Sequence, residues 1–234
     1  MTTFALIHGS GDGGDAWDLV RDALRERGHE ALAPDLPTDR DDATWDDCVE
    51  TVVQAVGGVD DLVVVGHSSG GFVAPLVAEA VNAKLQVFLA GMVPRPGETA
   101  EEWFGDVGWS QTVAEQATED GGLTGSSDPM TVFFHDVPTA LATEAMANER
   151  STGAGLGRTP WPAPALPSIP ARYVVTTLDR FIPAPVQRRV AARRLGITRP
   201  DEIETGHCPN LSRPDELAGL LARLATPATP RGSR

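Results

Sequence analysis

The apolar residues of this chain fall into short β-rich runs separated by stretches of helical period. Residues 4–7, 31–33, 62–65 and 85–89 form the runs, and 17–27, 45–56 and 72–81 carry apolar side chains at helical spacing. Strand and helix alternating at this interval predict βαβ units around a parallel sheet, because a continuously apolar strand has no face left for water. The pattern returns late in the chain. There 173–177 reads as a strand, 186–195 as a helix, 202–204 as a short strand, and 215–224 as an amphipathic helix opened by Pro214.

Between 94 and 170 the alternation stops. Helical stretches at 100–104, 112–119 and 140–149 are parted by loop-like 121–127 and 151–157, and the segment ends in Pro160, Pro162, Pro164, Pro167 and Pro170. Roughly 75 residues between two strands of one sheet are too many for a loop. They predict a helical cap over the carboxyl ends of the strands, where open α/β sheets bind ligands. The expected organisation is a core of 1–93 and 171–234 with a cap of 94–170, and a frayed tail after Ala225.

Two glycine motifs compete for the sheet. The first, Gly9-Ser10-Gly11-Asp12-Gly13-Gly14, satisfies G-x-G-x-x-G after a strand, with Asp35 about 20 residues on, as a dinucleotide site requires. Asp12 and Asp15 would put negative charge where a diphosphate must sit, and His8 has no part in that reading. The second, Gly66-His67-Ser68-Ser69-Gly70, is a G-x-S-x-G between a strand and a helix, the setting of a nucleophile elbow. Its glycines allow a turn too tight for side chains, and the following helix points its N-terminus at the serine. Ser68 as a mere helix cap is the plainer alternative.

A serine needs a base. Of five histidines, His8 and His67 lie inside motifs, His29 starts a strand at the far end of the sheet, and His135 lies in the cap. His207 follows the last strand, at the same edge as Ser68. Asp179 ends the strand before it and supplies the orienting acid. The order Ser68, Asp179, His207 is that of one fold in particular.

Four motifs in sequence carry a family resemblance. They are His8-Gly9-Ser10 with Trp17, Gly66–Gly71, Leu178-Asp179-Arg180 with Ile182-Pro183 and Gln187, and Gly206-His207-Cys208-Pro209 with Pro214 and Glu216. The chain resembles the α/β-hydrolases of the small cap-bearing group that includes plant methylesterases, hydroxynitrile lyases and bacterial esterase-like proteins. The resemblance implies an α/β-hydrolase fold with a mostly parallel sheet of about six strands, since the family's two N-terminal antiparallel strands have no counterpart. It also assigns the first glycine cluster to an oxyanion loop, with the amides of Ser10 and Ser69 as donors. In the lyases a lysine follows the histidine; here that residue is Cys208.

Composition narrows the function. A net charge of −14 disfavours nucleic acid and anionic membrane, no run is long and apolar enough for a membrane span, and lysine occurs once, at Lys84. Two cysteines make no disulfide framework, which points to a cytoplasmic setting. The expected activity is hydrolysis of a small neutral apolar or aromatic carboxylic ester through Ser68, His207 and Asp179, with no metal or cofactor and a small molecule as partner. A homodimer is left open. Trp103, Phe133 and Phe134, among the six aromatics of the cap, are expected to line the substrate pocket. A lyase, cyclase or decarboxylase reusing the triad, a ligand-binding receptor and a nicotinamide-dependent oxidoreductase are the alternatives.

Overall fold

The computed structural model describes residues 1–226; the expected fraying of the tail concerns residues outside that range beyond Thr226. Six strands form one parallel sheet: β1 (Thr3–Ile7), β2 (Glu30–Leu32), β3 (Leu62–His67), β4 (Leu85–Leu89), β5 (Ala171–Thr176) and β6 (Asp201–Ile203), in the order β2-β1-β3-β4-β5-β6. Every residue of β1, β3 and β4 is buried, as strands covered on both faces require.

The period of two sorts these residues between two cores. Phe4, Leu6, Val63, Val65 and Val87 face Trp17, α1 (Asp18–Glu26) and α11 (Pro214–Ala225). Ala5, Ile7, Val64, Phe88 and Tyr173 face α2 (Trp45–Val56), α3 (Ala74–Ala80) and α9 (Ala184–Leu195). The bounds of α2 follow from a capping box between Thr44 and Asp47 at one end and left-handed Gly57 (φ 60°) at the other.

Between β4 and β5 lie α4 (Ala100–Asp106), α5 (Trp109–Asp120), α6 (Pro129–Val132), α7 (Thr139–Ala147) and α8 (Ala154–Arg158). The short α8 occupies part of the stretch expected to be loop, and α6 and α10 (Pro209–Ser212) were not foreseen. Buried Arg194 and Glu98 form an ion pair that ties the start of this insertion to α9. The stretch expected as one helix over 72–81 is divided: a 3-10 turn, Ser68–Gly71, precedes α3. Trp17 likewise closes a 3-10 turn before α1.

The chain leaves β1 for the edge strand β2 and returns to β3 on the other side of β1. That reversal opens a crevice between the loops after β1 and β3, which is where such sheets bind ligands.

Candidate active site

The turn after β3 is tight enough to exclude side chains at two positions. A Cβ on Gly66 would stand 2.7 Å from Ala74 Cβ, and one on Gly70 would stand 2.6 Å from His8 O. Ser68 itself takes φ 52°, a left-handed conformation rare for a residue with a Cβ, and its carbonyl accepts from Met92 N–H at 2.9 Å. This strain lifts the hydroxyl to the carboxyl edge of the sheet, as a nucleophile elbow does.

The structure brings Ser68, His207 and Asp179 together. His207 Nε2 lies 3.1 Å from Ser68 Oγ, and His207 Nδ1 lies 2.7 Å from Asp179 Oδ2. All three are buried. The amides of Phe181 and Ile182 donate to Asp179 Oδ1 at 2.8 and 2.9 Å, while Thr176 Oγ1 and Gln187 Nε2 donate to Oδ2 at 2.9 and 3.0 Å. With four donors fixing it, the carboxylate cannot turn away from the imidazole. Gln187 reaches back from α9, so the helix after the acid helps to hold it.

Two further histidines support these loops. His8 donates from Nδ1 to Gly9 O at 2.8 Å and accepts Leu36 N–H on Nε2 at 3.0 Å; burial lowers its pKa and keeps it neutral for both bonds. His67 donates from Nε2 to His207 O at 2.8 Å, and burial first, then proximity to His207, lowers its pKa to about 3. Asp35, which a dinucleotide site would place on a ribose, instead accepts Gly14 N–H at 2.7 Å and braces the glycine loop.

Ser10 and Ser69 meet across the crevice, but the Ser10 amide is not free. It donates to Ser69 Oγ at 2.8 Å, and the two hydroxyls are also 2.8 Å apart. A substrate oxygen placed on the Ser10 amide has to displace the Ser69 hydroxyl.

The aromatic expectations divide. Phe133 lies over His207 with ring centroids 5.6 Å apart, and Phe134 lies 6.3 Å from Phe133. Trp103 is not at the site. It is fully buried in the core below α4, donating its indole N–H to Val93 O at 3.1 Å with Arg194 above its ring. Counting aromatics does not separate pocket from core; a ring with a buried N–H partner belongs to the core. Phe181, which sequence reading passed over, packs against His207 at 5.1 Å and Phe133 at 4.8 Å. Its only signal was an apolar residue two positions after the acid.

The insertion also grips both loops of the site. Asp136 Oδ2 accepts Gly206 N–H at 2.8 Å beside His207, and Arg150 N–H donates to Gly11 O at 2.9 Å.

This sheet, its elbow and the Ser–His–Asp contacts have the geometry of an α/β-hydrolase. The chain belongs to the alpha/beta hydrolase family, whose model matches residues 4–220. It is 25% identical over 251 residues to norfluorocurarine synthase 2 of Strychnos sp, covering 94% of both chains. It is 24% identical over 263 residues to methylesterase 18 of Arabidopsis thaliana, covering 97% of this chain and 98% of that one. Its fold is similar to the crystal structure of polyneuridine aldehyde esterase, with a TM-score of 0.76 at 20% identity over 97% of this chain and 100% of that one. Among the described residues no helix is long and apolar enough to cross a membrane.

Proposed function

We propose that this enzyme hydrolyses a carboxylic ester through an acyl-enzyme on Ser68. The observation that carries the reading is the chain of contacts from Asp179 through His207 to Ser68 Oγ, at 2.7 and 3.1 Å. His207 takes the Ser68 proton as Oγ attacks the ester carbonyl, and Asp179 fixes the imidazole tautomer and stabilises the imidazolium. The amides of Ser10 and Ser69 receive the oxyanion once the Ser69 hydroxyl has turned aside. The tetrahedral intermediate collapses, His207 gives its proton to the leaving alcohol, and a water activated by the same imidazole cleaves the acyl-serine.

The insertion at 94–170 acts as the cap of this site, with Phe133, Phe134 and Phe181 forming an apolar wall for an acyl chain or ring. The substrate is a small molecule without a carboxylate or phosphate, which the net charge of −14 disfavours. Two free, buried cysteines, Cys48 and Cys208, suit a reducing, cytoplasmic setting. The synthase name of one relative supports a second reading, in which the triad serves a biosynthetic step without an acyl-enzyme.

An acyl-chain-length series of simple esters, run on wild type and Ser68→Ala, tests the proposal. Turnover by the wild type, lost in Ser68→Ala, with acyl-Ser68 trapped by mass spectrometry, is the expected result. Turnover without acylation favours the second reading.

A further inference from the structure

Asp12 has no part in the chemistry above, yet it stands beside the nucleophile. A Cβ on Gly9 would lie 3.1 Å from Ser68 Cβ and 3.7 Å from Asp12 Oδ2, so the carboxylate and the serine flank the same glycine. Asp12 is partly buried in the loop after β1. Burial pushes its pKa up to about 6, with nearby Asp15 and Glu149 adding to the rise and His207 opposing it. Its carboxylate receives no hydrogen bond and no ion pair from any described residue.

The groups that face it come from three loops. His207 and the buried thiol of Cys208 lie on one side, Asp15 belongs to its own turn, and Glu149 approaches from the insertion, its side chain against Gly11. The Arg150 guanidinium, from the residue after Glu149, pairs with Asp35 and Asp39 at 3.4 and 3.3 Å. Among the described residues the one cationic group that lowers the Asp12 pKa is His207, and His207 is charged only while it holds the Ser68 proton.

We infer that Asp12 anchors a cation subsite next to Ser68, and that the preferred esters carry a protonated amine near the ester carbonyl. The oxyanion formed on the Ser10 amide would be repelled by a bare Asp12 carboxylate across the same loop, so a substrate ammonium seated between them relieves both charges. The fit is to an organic cation, because among the described residues no group of three acidic, histidine or cysteine side chains is placed to hold a metal ion. The preference in turnover rests on the esterase reading; the subsite itself does not.

Binding separates the two. Ser68→Ala, which cannot acylate, is titrated by calorimetry with 2-(dimethylamino)ethyl benzoate and its uncharged isostere 3-methylbutyl benzoate. At pH 7.5 the amine should bind about ten-fold or more tighter, and the gap should narrow at pH 5 as Asp12 takes up a proton. In Ser68→Ala/Asp12→Asn the two affinities should converge, while Ser68→Ala/Asp12→Glu keeps the difference and guards against a folding defect. Equal affinities in Ser68→Ala, no binding of the amine, or a difference that survives Asp12→Asn overturns the subsite. Wild-type turnover of the same pair is read separately. A binding difference without hydrolysis removes the esterase reading alone, and hydrolysis without a binding difference removes the subsite alone.

Discussion

His67, directly before the nucleophile, donates its Nε2–H to the main-chain oxygen of His207, 2.8 Å away, with the two rings 5.0 Å apart. The strand that presents the serine thereby holds the loop that presents its base. The bond requires a proton on Nε2, and burial opposes a second proton on the ring. The link is made by a neutral imidazole, consistent with a pKa lowered to about 3.

Acid stability should report this. Below pH 6.5 the unfolded chain binds a proton that folded His67 refuses, so the stability present above pH 6.5 is lost as pH falls toward 3. Each such group adds a slope of about 1.4 kcal/mol per pH unit. Buried His8 acts in the same direction, whereas Asp12, raised from 3.8 to about 6, acts in the opposite one across that interval. Denaturant melts from pH 6.5 to 4.5 should therefore show a shallower loss in His67→Gln, by close to one proton, and a steeper loss in Asp12→Asn. An unchanged slope in His67→Gln would mean that the imidazole is charged in the folded protein.

The acid should prove indispensable without being a fold determinant. Asp179→Asn puts an amide where five donors converge, including His207 Nδ1, and so sets the wrong imidazole tautomer. Turnover of simple esters should drop on the order of 10³–10⁴-fold with the circular dichroism spectrum retained. The companion expectation is that Ser68→Ala/His207→Ala is hardly worse than either single change, since the residues act as a unit. Losses that add on a logarithmic scale would separate them.

Ser69 offers a sharper distinction. Its amide is an expected oxyanion donor, but its hydroxyl occupies the Ser10 amide. Ser69→Ala keeps the backbone donor and frees Ser10. Turnover should stay within about ten-fold of wild type and KM should fall, whereas loss of a true donor costs roughly 10²–10³-fold in kcat. A loss of that size would show that the hydroxyl itself binds the oxyanion.

The buried pair Arg194–Glu98 should dominate the attachment of the insertion. Glu98 also accepts Arg95 N–H at 3.1 Å, and Arg194 stacks over Trp103. Removing one partner strands the other charge, so Glu98→Ala or Arg194→Ala should each destabilise by about 3–5 kcal/mol in denaturant melts. Glu98→Leu/Arg194→Met should recover part of that. A double variant as unstable as the sum of both would argue that shape, rather than charge, is what was lost.

The parts of the molecule legible in sequence are those where local chemistry forces one conformation. Thr44, Asp47 and Gly57 bracket α2, and Gly66 and Gly70 announce a turn that no side chain could enter. Ser68, Asp179 and His207 are legible because each follows the carboxyl end of a strand within four residues, and parallel strands deliver those ends to one edge. Phe181 sits in a loop, where no period marks which way a side chain points. Trp103 and Phe133 are alike as letters and differ only in what surrounds them. The helix α8, with two glycines in its five residues, has a composition that argues against it. Gly155 packs instead on the backbone of another loop, where a Cβ would stand 2.2 Å from Asp41 O, a contact no local pattern reveals.

The wall over His207 leads to the last prediction. Phe133 and Phe181 touch each other and both approach the imidazole, so an aryl or alkyl acyl group entering the site exchanges water for ring contacts. Arg180, directly after the acid, donates to Thr131 O at 3.0 Å, and Arg150 pairs with Asp35 and Asp39. The charge of Arg150 is already balanced by two carboxylates, and Asp12, Asp15 and Glu149 would repel a third. An aromatic ester should therefore be turned over with at least about ten-fold higher kcat/KM than its matched carboxylate-bearing analogue, the equivalent of about 1.4 kcal/mol. Salt should change this little, since charges this close are screened less than a Debye length of about 8–10 Å allows. Phe181→Ala should raise KM for the aryl ester and leave a short acetyl ester nearly unaffected, because only the larger group reaches the ring. A clear preference for the anionic ester would mean that Arg180 or Arg150 leaves its partner and turns into the pocket.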